Sequence, residues 1–167
     1  MTRRIERLDP RRHDRSSFSC GEPSLDSYLK TRASQDKERR LSTTFCLVDD
    51  ADATQIIGYF TLAPGGIELS ALPETLRRRL PAYPQVPVFR LGRLAVDTAF
   101  HGRGVGTELL VRALEECLGN PLNGWAVIVD ALPQAKDFYR HFGFQSFVDD
   151  PDRLFMTMGD VARSLSP

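Results

Sequence analysis

The chain has 167 residues, of which 41% are apolar and 26% charged, and it carries 22 basic and 22 acidic side chains. These values predict one folded domain over residues 1–167 and exclude fibrous and intrinsically disordered proteins. The net charge of zero argues against indiscriminate binding to nucleic acid. No apolar run approaches the ~20 residues of a membrane-spanning helix, and the charged N-terminal segment does not match a signal peptide, so we expect a cytoplasmic protein.

The charge is unevenly distributed along the chain. Residues 1–40 carry 11 basic and 7 acidic side chains, whereas residues 41–76 carry five acidic and no basic ones. Residues 77–103 then hold six arginines against a single acidic residue, Asp97. Two basic blocks are compatible with a face that binds an anionic ligand, and equally with a solvated surface that is simply patchy.

The positions of cysteine and histidine restrict the possible chemistry. The three cysteines lie too far apart for a disulfide framework or a metal cluster, and none has a paired histidine that would indicate a nucleophile. We therefore expect reduced, mostly buried thiols at Cys20, Cys46 and Cys117. The histidines are also too scattered for a metal site, at His13, His101 and His141.

Apolar periodicity predicts an α/β protein with mixed strand directions. A helix begins after Ser24, a candidate N-cap, with Leu25, Tyr28 and Leu29 on one face. A second helix, over residues 104–118, carries an apolar stripe formed by Val105, Leu109, Leu110, Ala113 and Leu114. Shorter helices are predicted at 72–80 and 134–141. The predicted strands are 4–8, an antiparallel pair at 42–48 and 55–62, then 86–96, 125–131, 142–147 and 153–158.

The most informative segment is the turn HGRGVG, residues 101–106, which follows an apolar strand and opens a helix. Its glycines permit a tight turn and a close approach of the backbone to a ligand, and the unpaired N–H groups of a helix N-terminus favour an anion. The turn lacks the Gly-Lys-Ser/Thr ending of a nucleotide P-loop and the G-x-G-x-x-G spacing of a dinucleotide fold. It therefore indicates a phosphate site of another kind, although such turns also simply connect strands to helices.

This turn resembles the pyrophosphate-binding motif Q/R-x-x-G-x-G/A of the GNAT acetyltransferases, with Gly104 and Gly106 at the two glycine positions. His101 stands where the family usually has Gln or Arg, but main-chain N–H groups hold most of the phosphate. The segment LAV, residues 94–96, is similar to the family's central strand, whose backbone pairs with the pantetheine arm. The scattered histidines predict no metal. The resemblance implies acetyl-CoA as cosubstrate, with contacts from Leu94, Ala95, Val96, His101, Gly102, Arg103, Gly104, Val105, Gly106, Thr107 and Phe138.

The same resemblance implies the GNAT fold, a mixed and mostly antiparallel central sheet flanked by helices. It also gives a role to the segment AKDFYRHFGF, residues 135–144, in which we expect Phe138, Phe142 and Phe144 to be core residues. Tyr139 could be core as well, but a buried hydroxyl needs a partner. By resemblance, Tyr139 is the general acid that protonates the departing thiolate of coenzyme A.

The implied mechanism is direct attack of a neutral amine on the thioester, without a covalent enzyme intermediate. A backbone N–H near residues 94–96 would polarise the thioester carbonyl, as an oxyanion hole does. No general base is evident in the sequence: Glu68, Glu74 and Asp97 are possible, and an amine of low pKa can lose its proton to water.

Four segments resemble one group within the GNAT superfamily, the TacT-like and AtaT-like toxins that acetylate the α-amino group of aminoacyl-tRNA. They are F-x-C-G-x-x-x-L-D-x-Y-L at 18–29, GYFTL at 58–62, LP-x-YP-x-VPV-x-x-LGRLAVD at 80–97 and FY-x-x-FGF at 138–144. This resemblance implies blocked peptide-bond formation, a ribbon-helix-helix antitoxin that inhibits the enzyme, and a homodimer. An aminoacyl ester also lowers the pKa of its amine, which agrees with the missing base.

A tRNA substrate requires cations that neutralise phosphates. Arg90 and Arg93 lie three apart on one strand and face opposite sides, so at most one of them lines the acceptor cleft. Consecutive arginines at 77–79 fan out rather than converge. The predicted RNA-binding residues are Lys30, Arg32, Lys37, Arg40, Arg77, Arg78, Arg90 and Arg93.

Two alternatives remain open from the sequence. The first is a GNAT enzyme that acetylates a small amine or a protein terminus, with the basic blocks serving only coenzyme A or solubility. The second is a module that binds coenzyme A without catalysis, which the presence of Tyr139 and the intact glycines argue against. Replacing Tyr139 with Phe separates enzyme from binding module, because only an enzyme loses turnover while retaining the cofactor.

Overall fold

The computed structural model describes residues 2–167, which form seven strands and six α-helices. The strands are β1 (Arg3–Arg7), β2 (Thr43–Asp49), β3 (Gly58–Glu68), β4 (Gln85–Val96), β5 (Ala126–Asp130), β6 (Gln145–Ser146) and β7 (Arg153–Thr157). The helices are α1 (Pro23–Ser27), α2 (Ala33–Glu38), α3 (Glu74–Arg77), α4 (Val105–Leu118), α5 (Lys136–Phe142) and α6 (Met158–Leu165). None of the helices within residues 2–167 is long and apolar enough to cross a membrane.

All seven strands belong to one sheet, in the order β1-β2-β3-β4-β5-β7-β6. The pair β4–β5 is parallel, with Val88 opposite Ala126. The β1–β2, β2–β3, β5–β7 and β6–β7 pairs are antiparallel. The structure therefore confirms the prediction of an α/β protein with a mixed, mostly antiparallel sheet.

The chain divides into two compact units, of which the first comprises residues 1–63 and 92–113. Its core contains the fully buried side chains of Leu29, Cys46, Val48 and Tyr59. The Tyr59 hydroxyl donates to the Leu25 carbonyl over 2.6 Å, which satisfies the polar end of a buried ring. Side chains from the segment around α1 thus pack in one core with side chains of β2 and β3.

The second unit comprises residues 64–91 and 114–167. Strand β5 is buried on both faces, as its continuous apolar run predicts, with Ala126 and Val127 fully inaccessible. Phe155 of β7 lies opposite Ile128 and packs against the Phe147 ring, with 4.8 Å between centroids. Ala126, Ile128, Phe147 and Phe155 belong to one apolar cluster in the core of the second unit.

The helix predicted after Ser24 differs from expectation in its start and its continuity. Helix α1 begins at Pro23, with Glu22 in the N-cap position, because proline needs no backbone hydrogen bond in the first turn. Ser24 is therefore not the N-cap. Between α1 and α2 the backbone forms a π-helical segment, Tyr28–Arg32, in which the Ala33 N–H donates to the Tyr28 carbonyl. Tyr28, Leu29 and Ala33 are nevertheless buried.

Strand β3 is longer than predicted, and helix α6 was not predicted at all. β3 continues to Glu68 through Pro64, Gly65 and Gly66, residues that disfavour strands on propensity alone. Within the second unit the Arg90 side chain occupies the space beside Gly65, where a Cβ would lie 2.7 Å from its Cγ and Cδ atoms. Tertiary packing therefore overrides propensity there.

Candidate active site

The glycine-rich turn connects the end of β4 to the start of α4. Asp97 caps a short 3-10 turn, Thr98–Phe100, by accepting the Ala99 N–H over 2.9 Å. Gly102 and Gly104 then adopt φ values of +75° and +74°, a left-handed conformation that side chains with a Cβ rarely tolerate. A Cβ at either position would meet nothing within 4 Å, so backbone conformation rather than crowding requires these glycines.

Helix α4 presents its N-terminus at this turn. Its first intrahelical bond runs from the Glu108 N–H to the Gly104 carbonyl over 3.1 Å, so the N–H groups of residues 105–107 have no intrahelical acceptor. Val105 is buried and anchors the helix, whereas residues 101–104 are exposed. The Arg103 guanidinium lies 6.0 Å from the Phe100 ring centroid. Open backbone donors, the positive end of a 14-residue helix and an adjacent cation suit a phosphate group.

His101 contributes to this turn through an intramolecular bond. Its Nε2 lies 2.7 Å from the carbonyl oxygen of Val96, and because a carbonyl only accepts, the ring nitrogen donates. The imidazole therefore ties the turn to the last residue of β4. This brings two of the predicted cofactor-binding segments, residues 94–96 and 101–106, into direct contact.

The segment 94–96 is held by close backbone packing within the first unit. Ala95 is buried, whereas Leu94 and Val96 are half-buried. A Cβ on Gly58 would lie 2.9 Å from the Ala95 carbonyl oxygen, so only glycine permits this approach of the two backbones. The Asp97 N–H donates to the Ile57 carbonyl over 2.9 Å, which fixes the end of β4.

Tyr139 lies on α5 and is 5% exposed. Its ring makes edge contacts with Phe138 and Phe144, at centroid distances of 5.1 and 5.5 Å. Burial raises the pKa of Tyr139 well above its ordinary value, so the hydroxyl keeps its proton at neutral pH. The side chain is thus in the protonation state that a general acid requires.

The phenylalanines around Tyr139 are less buried than predicted. Phe144 is a core residue, but Phe138 and Phe142 are only half-buried. The prediction that all three belong to the core is therefore wrong for these two. Helix α5 ends at Phe142, and Gly143, which follows it with a φ of +124°, stops the helix before its whole apolar face can be buried.

Two of the three carboxylates considered as a general base have structural partners. The two oxygens of Asp97 accept the N–H groups of Ala99 and Ser19. Glu74 pairs with Arg78 along α3 over 2.8 Å. Glu68 is exposed at the end of β3.

The predicted RNA-binding residues fall into two classes. Arg78 and Arg90 form ion pairs, Arg78 with Glu74 over 2.8 Å and Arg90 with Asp130 over 3.2 Å. Among residues 2–167, the other six form no ion pair: Lys30, Arg32, Lys37, Arg40, Arg77 and Arg93. All of these six are exposed except Arg93, which is half-buried. Arg40 has a φ of 61°, unusual for a residue with a side chain.

Comparison with known proteins identifies the family. The family profile of the acetyltransferase (GNAT) domain matches residues 24–154. The chain belongs to the GNAT acetyltransferase family. It is 39% identical to a "tRNA-acetylating toxin" of Mycobacterium tuberculosis, over 98% of this chain and 94% of the relative. The sequence-based recognition of a GNAT enzyme related to these toxins is confirmed.

Three solved structures of similar chains show what GNAT relatives bind. AtaT complexed with acetyl-methionyl-tRNAfMet is 26% identical, with a TM-score of 0.86, over 99% of this chain and all of that chain. AtaTR bound with AcCoA is 27% identical, with a TM-score of 0.81, over 98% of each chain. A mutant AtaT toxin bound to the C-terminus of the antitoxin AtaR is 25% identical, with a TM-score of 0.80, over 99% of each chain.

The sequence missed one arrangement in the first unit. The Arg93 guanidinium stacks on the ring of Tyr28, with 3.5 Å between its central carbon and the ring centroid. Tyr28 is part of the 18–29 motif, but helical periodicity predicts only that it is a core residue and gives no sign of a contact with Arg93. Tyr28 also begins a π-helical segment, a feature often found at functional sites, which only the structure reveals.

Proposed function

We propose that this GNAT enzyme transfers the acetyl group of acetyl-CoA to the α-amino group of an aminoacyl-tRNA and thereby acts as a toxin that blocks translation. The observation that carries the proposal is 39% identity to a tRNA-acetylating toxin over nearly the full length of both chains. The unpaired cations at Lys30, Arg32, Lys37 and Arg77 support an RNA substrate.

The residues of the turn fit the phosphates of acetyl-CoA, which supplies the acetyl group as a thioester. N–H groups of residues 102–107 bind the pyrophosphate, and Arg103 adds a positive charge. The backbone of residues 94–96 pairs with the pantetheine arm, and an N–H of this segment polarises the thioester carbonyl. Phe138 contacts the cofactor from α5.

In the chemical step the amine nitrogen attacks the thioester carbon, so that a C–N bond forms and the C–S bond breaks. Tyr139 donates its hydroxyl proton to the departing sulfur and regains a proton from solvent. The amine releases its surplus proton to water, since an α-amine next to an ester is a weaker base than a lysine side chain. This assigns one catalytic side chain, Tyr139, and leaves the remaining stabilisation to the backbone.

We extend the proposal to partners and location. A ribbon-helix-helix antitoxin inhibits the enzyme, the enzyme forms a homodimer, and it acts in the cytoplasm, where charged tRNA is found. Support comes from the similar AtaT toxin, which was solved bound to the C-terminus of its antitoxin AtaR.

The test is transfer of radiolabelled acetyl from acetyl-CoA to a total charged-tRNA pool, with an uncharged pool in parallel. We expect label only on charged tRNA, and none with Tyr139→Phe. Release of free thiol with small amines or peptides, but no label on tRNA, would instead favour a GNAT with another acceptor and overturn the toxin proposal.

A further inference from the structure

The guanidinium of Arg93 is held against an aromatic face. Its central carbon lies 3.5 Å above the centroid of the Tyr28 ring, the distance of direct stacking. Arg93 is on β4 and Tyr28 begins the π-helical segment, and both belong to the first unit. Stacking of this kind fixes the plane of a guanidinium while leaving the N–H groups at its edge free to donate.

Tyr28 is itself fixed on all sides. It is 4% exposed and belongs to the core cluster of the first unit. Its hydroxyl donates to Asp36 over 2.7 Å and lies 3.0 Å from the Ser42 hydroxyl, which donates to it. The position of the ring is therefore set by Asp36 of α2 and by Ser42, the residue before β2.

Arg93 differs from Arg90, three residues earlier on the same strand, in both exposure and ion pairing. Arg90 is exposed and paired with Asp130. Arg93 is half-buried and makes no ion pair within residues 2–167. A partly desolvated guanidinium with free donors gains most from an anion that can accept two hydrogen bonds, such as a phosphodiester.

The position of Arg93 along β4 indicates which anion it binds. Arg93 immediately precedes residues 94–96, the segment to which we assign polarisation of the thioester carbonyl. In an aminoacyl-tRNA the phosphodiester closest to the reacting amine is the last one, a single nucleoside away. A cation one residue from the reacting segment is therefore well placed for that phosphate.

We propose that Arg93, clamped on Tyr28, binds the last phosphodiester of the aminoacyl-tRNA and so positions its α-amine for attack. The inference rests on the proposed function. Arg93 is a substrate-binding residue here, and Tyr28 is a positioning residue that acts through Arg93.

The decisive experiment compares two acceptors that carry the same aminoacyl group. One is the aminoacyl-tRNA that the wild-type enzyme labels, and the other is the methyl ester of the same amino acid, which has no phosphate. We expect Arg93→Gln to lower kcat/KM for aminoacyl-tRNA by about 10- to 100-fold, mainly through KM, because a charge-assisted pair is lost. The kinetics with the methyl ester should match the wild type.

Salt dependence provides an independent readout on the tRNA alone. Loss of one phosphate contact to a single-stranded end should reduce the slope of log KM against log salt by about 0.7. Arg11→Gln is the matched control, because Arg11 is an exposed cation of the same unit outside the proposed site. It should leave both KM and the slope near their wild-type values.

Two variants of Tyr28 test the clamp. Tyr28→Phe keeps the ring but removes the bonds to Asp36 and Ser42, so KM for aminoacyl-tRNA should remain within a few-fold of the wild type. Tyr28→Leu removes the ring and should raise KM towards the value of Arg93→Gln. The double variant Tyr28→Leu/Arg93→Gln should have a KM close to that of Arg93→Gln alone, because the two residues act as one unit.

The outcomes separate the two proposals. If the wild type labels aminoacyl-tRNA but Arg93→Gln leaves KM and the salt slope unchanged, only the assignment of Arg93 is overturned. An equal loss with tRNA and ester would also overturn it, since Arg93 would then serve the cofactor or the fold. If the wild type acetylates the ester but never the tRNA, the proposed function itself fails.

Discussion

The glycine turn and the surroundings of Tyr139 represent two different ways of building a catalytic element. The turn is exposed, with Gly102 and Gly104 at positive φ and no side chain near them, and its proposed role depends on the backbone. Tyr139 is buried, and its proposed role depends on a single hydroxyl group. We therefore expect acetyl-CoA affinity to depend on the backbone conformation of the turn, and turnover to depend on the hydroxyl oxygen of Tyr139.

The largest expected effect is that of Tyr139→Phe. The variant keeps the ring and its edge contacts, but it has no proton to donate, and removal of a general acid lowers a rate by roughly 10²- to 10⁴-fold. Acetyl-CoA affinity, measured by titration calorimetry, and the melting temperature should be unchanged. A variant that retains more than a tenth of the wild-type turnover would refute the role of Tyr139.

The pH dependence of the wild type should follow from the same hydroxyl. Burial raises the pKa of Tyr139, so the protonated form persists from neutral into alkaline solution. Turnover should therefore show no loss attributable to tyrosine ionisation below about pH 10, the ordinary pKa of the side chain. A descending limb near neutral pH that disappears in Tyr139→Phe, measured on its residual activity, would contradict this.

A smaller effect is expected for Gly104→Ala. The added methyl group meets no neighbour, so its cost is that of a left-handed backbone, about 1–2 kcal/mol, or roughly 5- to 30-fold in acetyl-CoA affinity. Gly104→Asn is the matched variant, because asparagine tolerates this conformation better, and it should bind more tightly than the alanine variant. Equal losses for both would indicate that a side chain obstructs the ligand.

The smallest effect is expected for His101→Gln, which removes the ring bonded to the Val96 carbonyl. If main-chain N–H groups hold the phosphates, KM for acetyl-CoA should change by no more than a few-fold. A change of this size corresponds to the net free energy of one exposed hydrogen bond. Steady-state kinetics at varied acetyl-CoA measures this. A tenfold or greater rise in KM would show that the His101 side chain binds the phosphates itself.

Segments with a local physical signal were predicted well. Helix α4 follows the predicted stripe, in which Val105, Leu109 and Leu114 are buried. Strand β5 follows a continuous apolar run. The family and the acyl donor were also recognised, because short motifs such as the glycine turn depend on local backbone geometry. The roles of individual site residues, Tyr139 included, remain predictions.

Features that depend on distant partners were not predicted. Strand β3 continues through Pro64 and Gly65 because Arg90 packs over the glycine, and Asp97 is committed to the Ser19 N–H. Nothing in the spacing of these residues indicates such contacts. Helical propensity likewise does not indicate the π-helical segment at Tyr28–Arg32, in which Tyr28 and Leu29 are buried.

The sequence by itself therefore determined the fold class, the family and the position of the glycine-rich turn, because the hydrophobic period and left-handed glycines are set by a few neighbouring residues. Only the tertiary structure distinguished Arg90, paired with Asp130, from Arg93, stacked on Tyr28. The state of a charged side chain depends on which groups surround it in space, and residues far away in the sequence supply those groups.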